Sequence, residues 1–468
     1  MIVAGYMVPH PPLAIAEVGR GQEGQIQATL DAYDKVACDI SDKHPDTVIL
    51  SSPHSIMYAD YFHISPGKTA TGDMSRFGCP QVSFSAEYDT ELVSLIERIA
   101  QSKGISAGTM GERDAALDHG TMVPLHFICR RYTDFKLIRI GLSGLPLTEH
   151  YRMGMAIAEA VNALGRRAVY VASGDLSHKM KAEGPYGFAP EGPQYDERIM
   201  NDMGSADFAK ILDYDEGFCD RAAECGHRSF VMMAGAFDGV AVRPVRLTHE
   251  ATFGVGYGIC MFTPGGSDEE RHFLDKKREA AVKEMKKETA SNDPYVKLAI
   301  RSLKSYINNG IALNVTEAME GLENDPAAGA LTHDRAGAFV SIHKHGQLRG
   351  CIGTFLPVTD CIASEIIRNA ISASTEDPRF SPIRPDEIPD LEVNVDVLST
   401  PEAIPDESFL DVKRYGVIVT RGSRRGLLLP DLEGVDDVVT QIAIAKQKAG
   451  IPQDADVELQ RFEVVRHK

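Results

Sequence analysis

Four short apolar runs, residues 2–8, 47–52, 137–143 and 168–173, constrain this chain more than any other feature. Each is too short for an ordinary helix. Each lacks the strict alternation of a strand with one wet face, so each is predicted as a strand buried on both sides. Helix-like segments at residues 24–42, 90–103, 148–164 and 228–238 lie between and after them. That alternation predicts an α/β domain whose central sheet is mostly parallel and flanked by helices. Two further β-rich runs in "VAVRPVRLTHEATFGVGYGICMF" leave room for a mixed sheet.

A chain of 468 residues is too long for one ordinary core, so two domains are expected. The division is predicted at "TPGGSDEE", a breaker followed by an acidic helix start. The segment beginning "DEERHFLDKKREAAVKEMKKE" is dense in both charge signs and reads as a solvated helix. The expected organisation is a first domain over 1–262, a charged helical linker over 263–292 and a second domain over 293–468. The second reads as α+β. "DPYVKLAIRSLKSYINNG" has Pro at the first helical position and a Gly stop. "AGAFVSIHKHGQLRGCIGTF" and "YGVIVTRGSRRGLLLP" read as hairpins, and "DCIASEIIRNAISASTED" as an amphipathic helix.

The formal net charge of −18 argues against nucleic acid and anionic membranes as general partners, because both require a basic surface. No apolar stretch reaches the roughly 18 residues of a membrane span. No basic, then apolar, secretory segment opens the chain. The eight cysteines are scattered without a CxxC pair, which predicts reduced thiols, a cytoplasmic location and no Cys-rich zinc site. A homodimer is the default assembly.

Ten of the fifteen histidines precede residue 263, and three share a pattern. His10 in "VPHPPL", His54 in "VILSSPHS" and His178 in "VASGDLSH" each follow a predicted strand. Functional groups in open α/β sheets gather beyond the carboxyl ends of strands. If those strands are neighbours, three imidazoles converge on one cleft. Prolines before His10 and His54 stiffen the loops that carry them. His119, in "LDHGTMVPL", precedes a predicted helix. Two imidazoles and a carboxylate on one face suit ferrous iron and leave open positions for substrate and dioxygen. Glu224 in "AECGH" is a candidate acid, and its neighbour Cys225 would instead favour a softer ion. In the second domain, Arg349 and Cys351 in "LRGCIG" and Arg379 in "DPRF" are candidates to line a pocket for an anion. Structural pairing of both arginines with nearby acids and simple packing of Cys351 stand as the alternatives.

The ordered set "PHPP", "SSPHS", "LDHGTMVPL", "SGDLSH" and "AECGHRS" resembles the class III extradiol ring-cleavage dioxygenases, the LigB-like superfamily. The resemblance implies Fe(II), or another divalent metal, held by His10, His54 and Glu224. It implies His178 as acid/base, His119 facing the substrate, and a catechol-like aromatic substrate with O₂ as co-substrate. Memo-like relatives carry a cysteine in this region, which Cys225 matches; that resemblance implies metal or redox handling without ring cleavage. The second half, through "LRGCIG", "DPRF" and "YGVIVTRGSRRGLLLP", resembles the AMMECR-type domain. The two halves together resemble the fusion proteins of the AmmeMemoRadiSam system. This implies Memo-like and radical S-adenosylmethionine proteins as partners, which a scaffold without catalysis would also serve.

Overall fold

The structure, a computed structural model, describes residues 1–112, 116–285, 293–432 and 434–468. It divides into two compact units, Met1–Lys276 and Lys277–Lys468. The helix Phe273–Met285 spans that division. The last part of the predicted linker, residues 286–292, lies outside the described residues.

The first unit alternates as its sequence predicts. Strand β1 (Ile2–Val8) leads to α1 (Gln27–Lys43) and β2 (Thr47–Ser52). After α2 (Thr90–Ser102) come α3 (His119–Cys129), β3 (Lys136–Gly141), α4 (Leu147–Ala163) and β4 (Ala168–Ser173). Then follow α5 (Glu191–Gly204), α6 (His227–Gly235), β5 (Val240–Glu250) and β6 (Tyr257–Ser267). The six strands form one mixed sheet in the order β3-β2-β4-β1-β6-β5. The first four are parallel, and the β5–β6 hairpin joins β1 antiparallel. Every residue of β2 and β4 is buried, because helices cover both faces of the sheet.

The "TPGGS" segment, expected to break the chain, instead continues β6 to Ser267. Pro264 still opposes Val242, and the register slips between Pro264 and Ser267. A bulge of this kind admits a proline that cannot donate to the ladder. A second hairpin, Thr69–Met74 with Cys79–Glu87, stands apart from the main sheet and was not legible as one.

The second unit is α+β. Its helices α7 (Pro294–Asn309), α8 (Ile362–Thr375) and α9 (Val438–Lys448) accompany one antiparallel sheet. The strands are β7 (Ala338–Lys344), β8 (Gln347–Gly353), β9 (Leu391–Leu398), β10 (Tyr415–Arg421), β11 (Arg424–Leu428) and β12 (Glu458–His467). They run in the order β8-β7-β9-β12-β10-β11, with the short Glu402–Ile404 also on β12. The β7–β8 turn is made by His345 and Gly346, both at positive φ, as a tight two-residue hairpin requires.

Candidate metal centre

β4 lies between β2 and β1, so their carboxyl ends sit side by side. The loops leaving those three strands carry His54, His10 and His178. His119 arrives as the first residue of α3, whose N-cap is Asp118: its carboxylate accepts the Thr121 N–H. His10, His54 and His119 are brought together, with ligand nitrogens all within 4.8 Å of one another. Among the described residues this is the one such cluster of His, Cys, Asp and Glu groups. His10 forms its buried floor at 1% exposure, His119 is half-buried, and His54 lies at the mouth. The His54 and His119 rings stack with centroids 4.0 Å apart.

The ring of His10 is held in one tautomer. The Ser173 hydroxyl donates to the Gly120 carbonyl at 2.6 Å, so it can only accept from His10 Nδ1, 2.9 Å away. That leaves Nε2 of His10 with its lone pair aimed into the cluster, 3.0 Å from His54 Nε2. Two nitrogens at right angles, each about 2.1 Å from one small divalent ion, would lie about 3.0 Å apart. Burial drives the His10 pKa well below its ordinary value, with the His54 charge next in effect, and lowers His119 to about 4. Both rings are therefore neutral donors at neutral pH. This donor set fits a divalent transition metal.

The fourth sequence candidate, His178, stands close by but is differently held. Its Nδ1 donates to the Ala223 carbonyl at 2.5 Å, so Nε2 again keeps the lone pair. Burial lowers its pKa. The edge of Tyr186 meets its ring at 5.0 Å, and Phe77 meets His119 at 5.5 Å, giving the cluster two aromatic neighbours.

The neighbours Glu224 and Cys225 separate. Glu224 Oε2 accepts the N–H of His227 at 2.5 Å, at the start of α6. Burial pushes its pKa up to about 7 against that bond. The Sγ of Cys225 lies 3.6 Å from His10 Nε2. Burial raises its thiol pKa well above the ordinary value, although a coordinating metal would remove that proton. Two glycines bring this loop in: a β-carbon on Gly174 would stand 2.1 Å from the Cα of Gly226.

One carboxylate at the centre was missed from sequence. Asp175 accepts the His10 N–H at 2.7 Å, and its other oxygen is 3.9 Å from His10 Nε2. Its N–H donates to Cys225 Sγ at 3.3 Å. Burial raises its pKa to about 7. The signal was present in "SGDLSH", three residues before His178, but an acid there is equally at home in a turn.

The candidates of the second unit have other partners. Arg349 grips Glu387 through Nε at 3.1 Å and Nη2 at 3.0 Å, and donates to the Ser381 carbonyl at 2.8 Å. Arg379 makes a two-pronged pair with Asp377 at 2.9 and 2.6 Å. Together that pair clasps Cys351: Asp377 accepts its N–H, and Arg379 donates to its carbonyl. The Cys351 thiol accepts from Ser341 at 3.3 Å. Gly350 lies so close to α8 that a β-carbon would stand 2.1 Å from the Ala373 carbonyl oxygen.

Comparison with known proteins agrees with this division. Residues 4–260 match the family described as the catalytic LigB subunit of aromatic ring-opening dioxygenase, and residues 296–467 match the AMMECR1 family. Protein CA_C1420 of Clostridium acetobutylicum is 40% identical over 99% of this chain and 98% of its own length. A protein of Thermotoga maritima is 55% identical over 37% of this chain and 97% of its own. An uncharacterized protein of Escherichia coli K12, JW3007, has a solved structure that covers 55% of this chain and 99% of its own, at 15% identity and a TM-score of 0.35. No helix among the described residues is long and apolar enough to cross a membrane. With a histidine cluster at its strand ends and a family match spanning nearly the whole first unit, the chain belongs to the LigB family of ring-opening dioxygenase subunits, joined to an AMMECR1 domain.

Proposed function

We propose that the first unit is a non-haem metal-dependent oxidoreductase of extradiol type, acting with O₂ on a catechol-like substrate. The observation that carries this reading is the neutral imidazole cluster of His10, His54 and His119, in which Ser173 keeps the His10 lone pair pointing inward. His10 and His54 are the proposed ligands of Fe(II). Cys225 supplies the third donor in preference to Glu224, because its sulfur lies by His10 while Glu224 is committed to the α6 terminus. A ferrous ion held there would supply an electron-transfer path between an electron-rich ring and dioxygen.

The chain's own residues do the remaining work. His178, neutral and with Nε2 unprotonated, accepts a proton from a substrate hydroxyl and can return it later. The Ala223 carbonyl keeps that tautomer in place. His119 and Phe77 form one wall and Tyr186 another, an apolar setting suited to a flat ring.

Cys225 also favours a second reading, a Memo-like metal- or redox-handling site without ring opening, because thiolate ligands select softer ions. Protein purified without oxygen separates the two. Stoichiometric iron, with oxygen uptake and a coloured ring-opened product from a panel of catechols, is the result expected of the first reading. Tight metal binding without product from any catechol supports the second. No metal affinity at all would sink both.

A further inference from the structure

Two features away from the histidine cluster are the 830 Å³ groove beside residues 83–87, at the amino ends of the strands, and the fully buried His63, whose ring nitrogens lack a hydrogen-bond partner among the described residues. Neither says what would occupy it. A buried charge behind the histidine cluster carries more.

Arg139 sits in mid-strand on β3 and is 1% exposed, among the largest fully buried side chains of the protein. A guanidinium is an expensive group to bury, and replacing a buried ion pair by apolar residues is often neutral or stabilising. Its place here therefore calls for a purpose other than stability. Nε donates to Ser65 at 2.7 Å, Nη1 donates to the Ala116 carbonyl at 2.6 Å, and Nη1 lies 3.6 Å from Asp118.

Asp118 is the junction. It accepts from the Thr121 N–H at 3.0 Å and the Thr121 hydroxyl at 2.8 Å, which fixes the first turn of α3 and so His119. It also accepts from the Ser52 hydroxyl at 2.6 Å. Ser52 in turn accepts the His54 N–H at 3.2 Å. One carboxylate thus ties the His54 loop, the His119 helix and Arg139 together. Gly120 is required at the crossing, since a β-carbon there would stand 2.5 Å from Ser52 Oγ.

We propose that Arg139, acting through Asp118 and Ser52, is a positioning residue that sets the ligand His54 against the substrate-facing His119 and so orders the metal centre. This rests on the metal-centre reading above. Groups that orient metal ligands from behind typically matter by 10–100-fold in affinity. The test uses the full chain and three variants: Arg139→Met, which keeps the volume of the stem; Asp118→Asn, which keeps a competent helix cap; and Ser52→Ala, a small change that cuts the bridge from Asp118 to His54 while leaving the Asp118–Thr121 cap.

Two measurements are made on each: anaerobic Fe(II) titration, and the imidazole ¹H–¹⁵N resonances of the metal-free protein. The expected result is roughly 10–100-fold weaker Fe(II) binding in Arg139→Met and a smaller loss in Ser52→Ala. The His54 and His119 resonances should shift while those of His249 and His272, outside the network, stay in place. Unchanged resonances and affinity in both Ser52→Ala and Asp118→Asn would overturn the proposal, even if Arg139→Met failed to fold. If wild-type protein binds no Fe(II), the metal-centre reading fails and takes the metal role of Arg139 with it. Shifted resonances would then leave only an ordering of the two rings.

Discussion

The His10 cluster and the Arg349–Arg379 region each set a cysteine beside a carboxylate, yet they spend their polar groups differently. Around Arg349 the hydrogen-bonding groups are consumed: Glu387 receives Arg349, Lys344 and the Arg384 N–H, and Asp377 receives Arg379 and the Cys351 N–H. Around His10 the supporting bonds hold one nitrogen of a ring and leave the other pointing inward. The second unit carries the longer run of distinctive motifs, and the first carries the residual valence. A distinctive motif therefore marks a demanding local structure as readily as a reactive one. Whether a donor atom is left over separates the two cases.

Substitutions can break or sharpen that contrast. The largest effect is expected at His178. His178→Ala should cost about 10²–10⁴-fold in turnover, the usual worth of a positioned acid/base, with Fe(II) affinity unchanged. Loss of iron in that variant, read by metal analysis, would make His178 a ligand instead.

Arg349→Met should act on the opposite quantity. Glu387 would keep Lys344 and the Arg384 N–H but lose both bonds from the guanidinium, which is expected to destabilise the second unit by about 2 kcal/mol, the scale of hydrogen bonds to a charged group. Denaturant unfolding would measure it, and Fe(II) titration should see no change. A drop in iron affinity would erase the distinction drawn between the regions.

A smaller effect follows from pH. The bond from Arg349 holds the Glu387 carboxyl down at about 2, below the roughly 4.3 of an unfolded glutamate. A depressed acid gives stability that is present above the unfolded value and lost as pH falls through the folded one. The wild-type second unit should therefore lose stability between about pH 5 and pH 2, and Arg349→Met should flatten that slope. Equal slopes in acid-unfolding curves would remove Glu387 from the account.

The smallest change is expected at Glu224. Glu224→Gln imitates a carboxyl already poised toward its neutral form, so stability should move by no more than about 1 kcal/mol, the scale of a helix cap. Iron should stay bound. Iron lost from Glu224→Gln but kept in Cys225→Ser would restore Glu224 as the third ligand.

Much of this was legible in the sequence. The apolar runs located β1 to β4, and two of the three histidines placed after strands, His10 and His54, meet in the histidine cluster, which His119 rather than His178 completes. What escaped was set by tertiary contact. Nothing local says that Ser173 bonds His10, or that Asp175 reaches the N–H of a residue 165 positions earlier. Which of Glu224 and Cys225 turns inward was equally hidden. That choice follows Ala223, a non-glycine residue at φ 54 that ends one helix and redirects the chain just before the pair. Left-handed alanine is uncommon, and a sequence gives no sign of it. The pairing of Arg349 and Arg379 was foreseeable only as an alternative, because any arginine near acids admits both readings.

The contact between Gly174 and Gly226 has a consequence for how this site can vary. Asp175 and Cys225 owe their separation to a spacer of zero thickness, a seam where two side chains are missing. Such a seam cannot be adjusted in small steps, because even alanine on one side pries both loops apart. Descendants of this chain can exchange the groups that flank the seam, a sulfur for a carboxylate or the reverse, and so change which metal the proposed centre would prefer. They cannot widen the gap between them without dismantling the floor on which His10 rests.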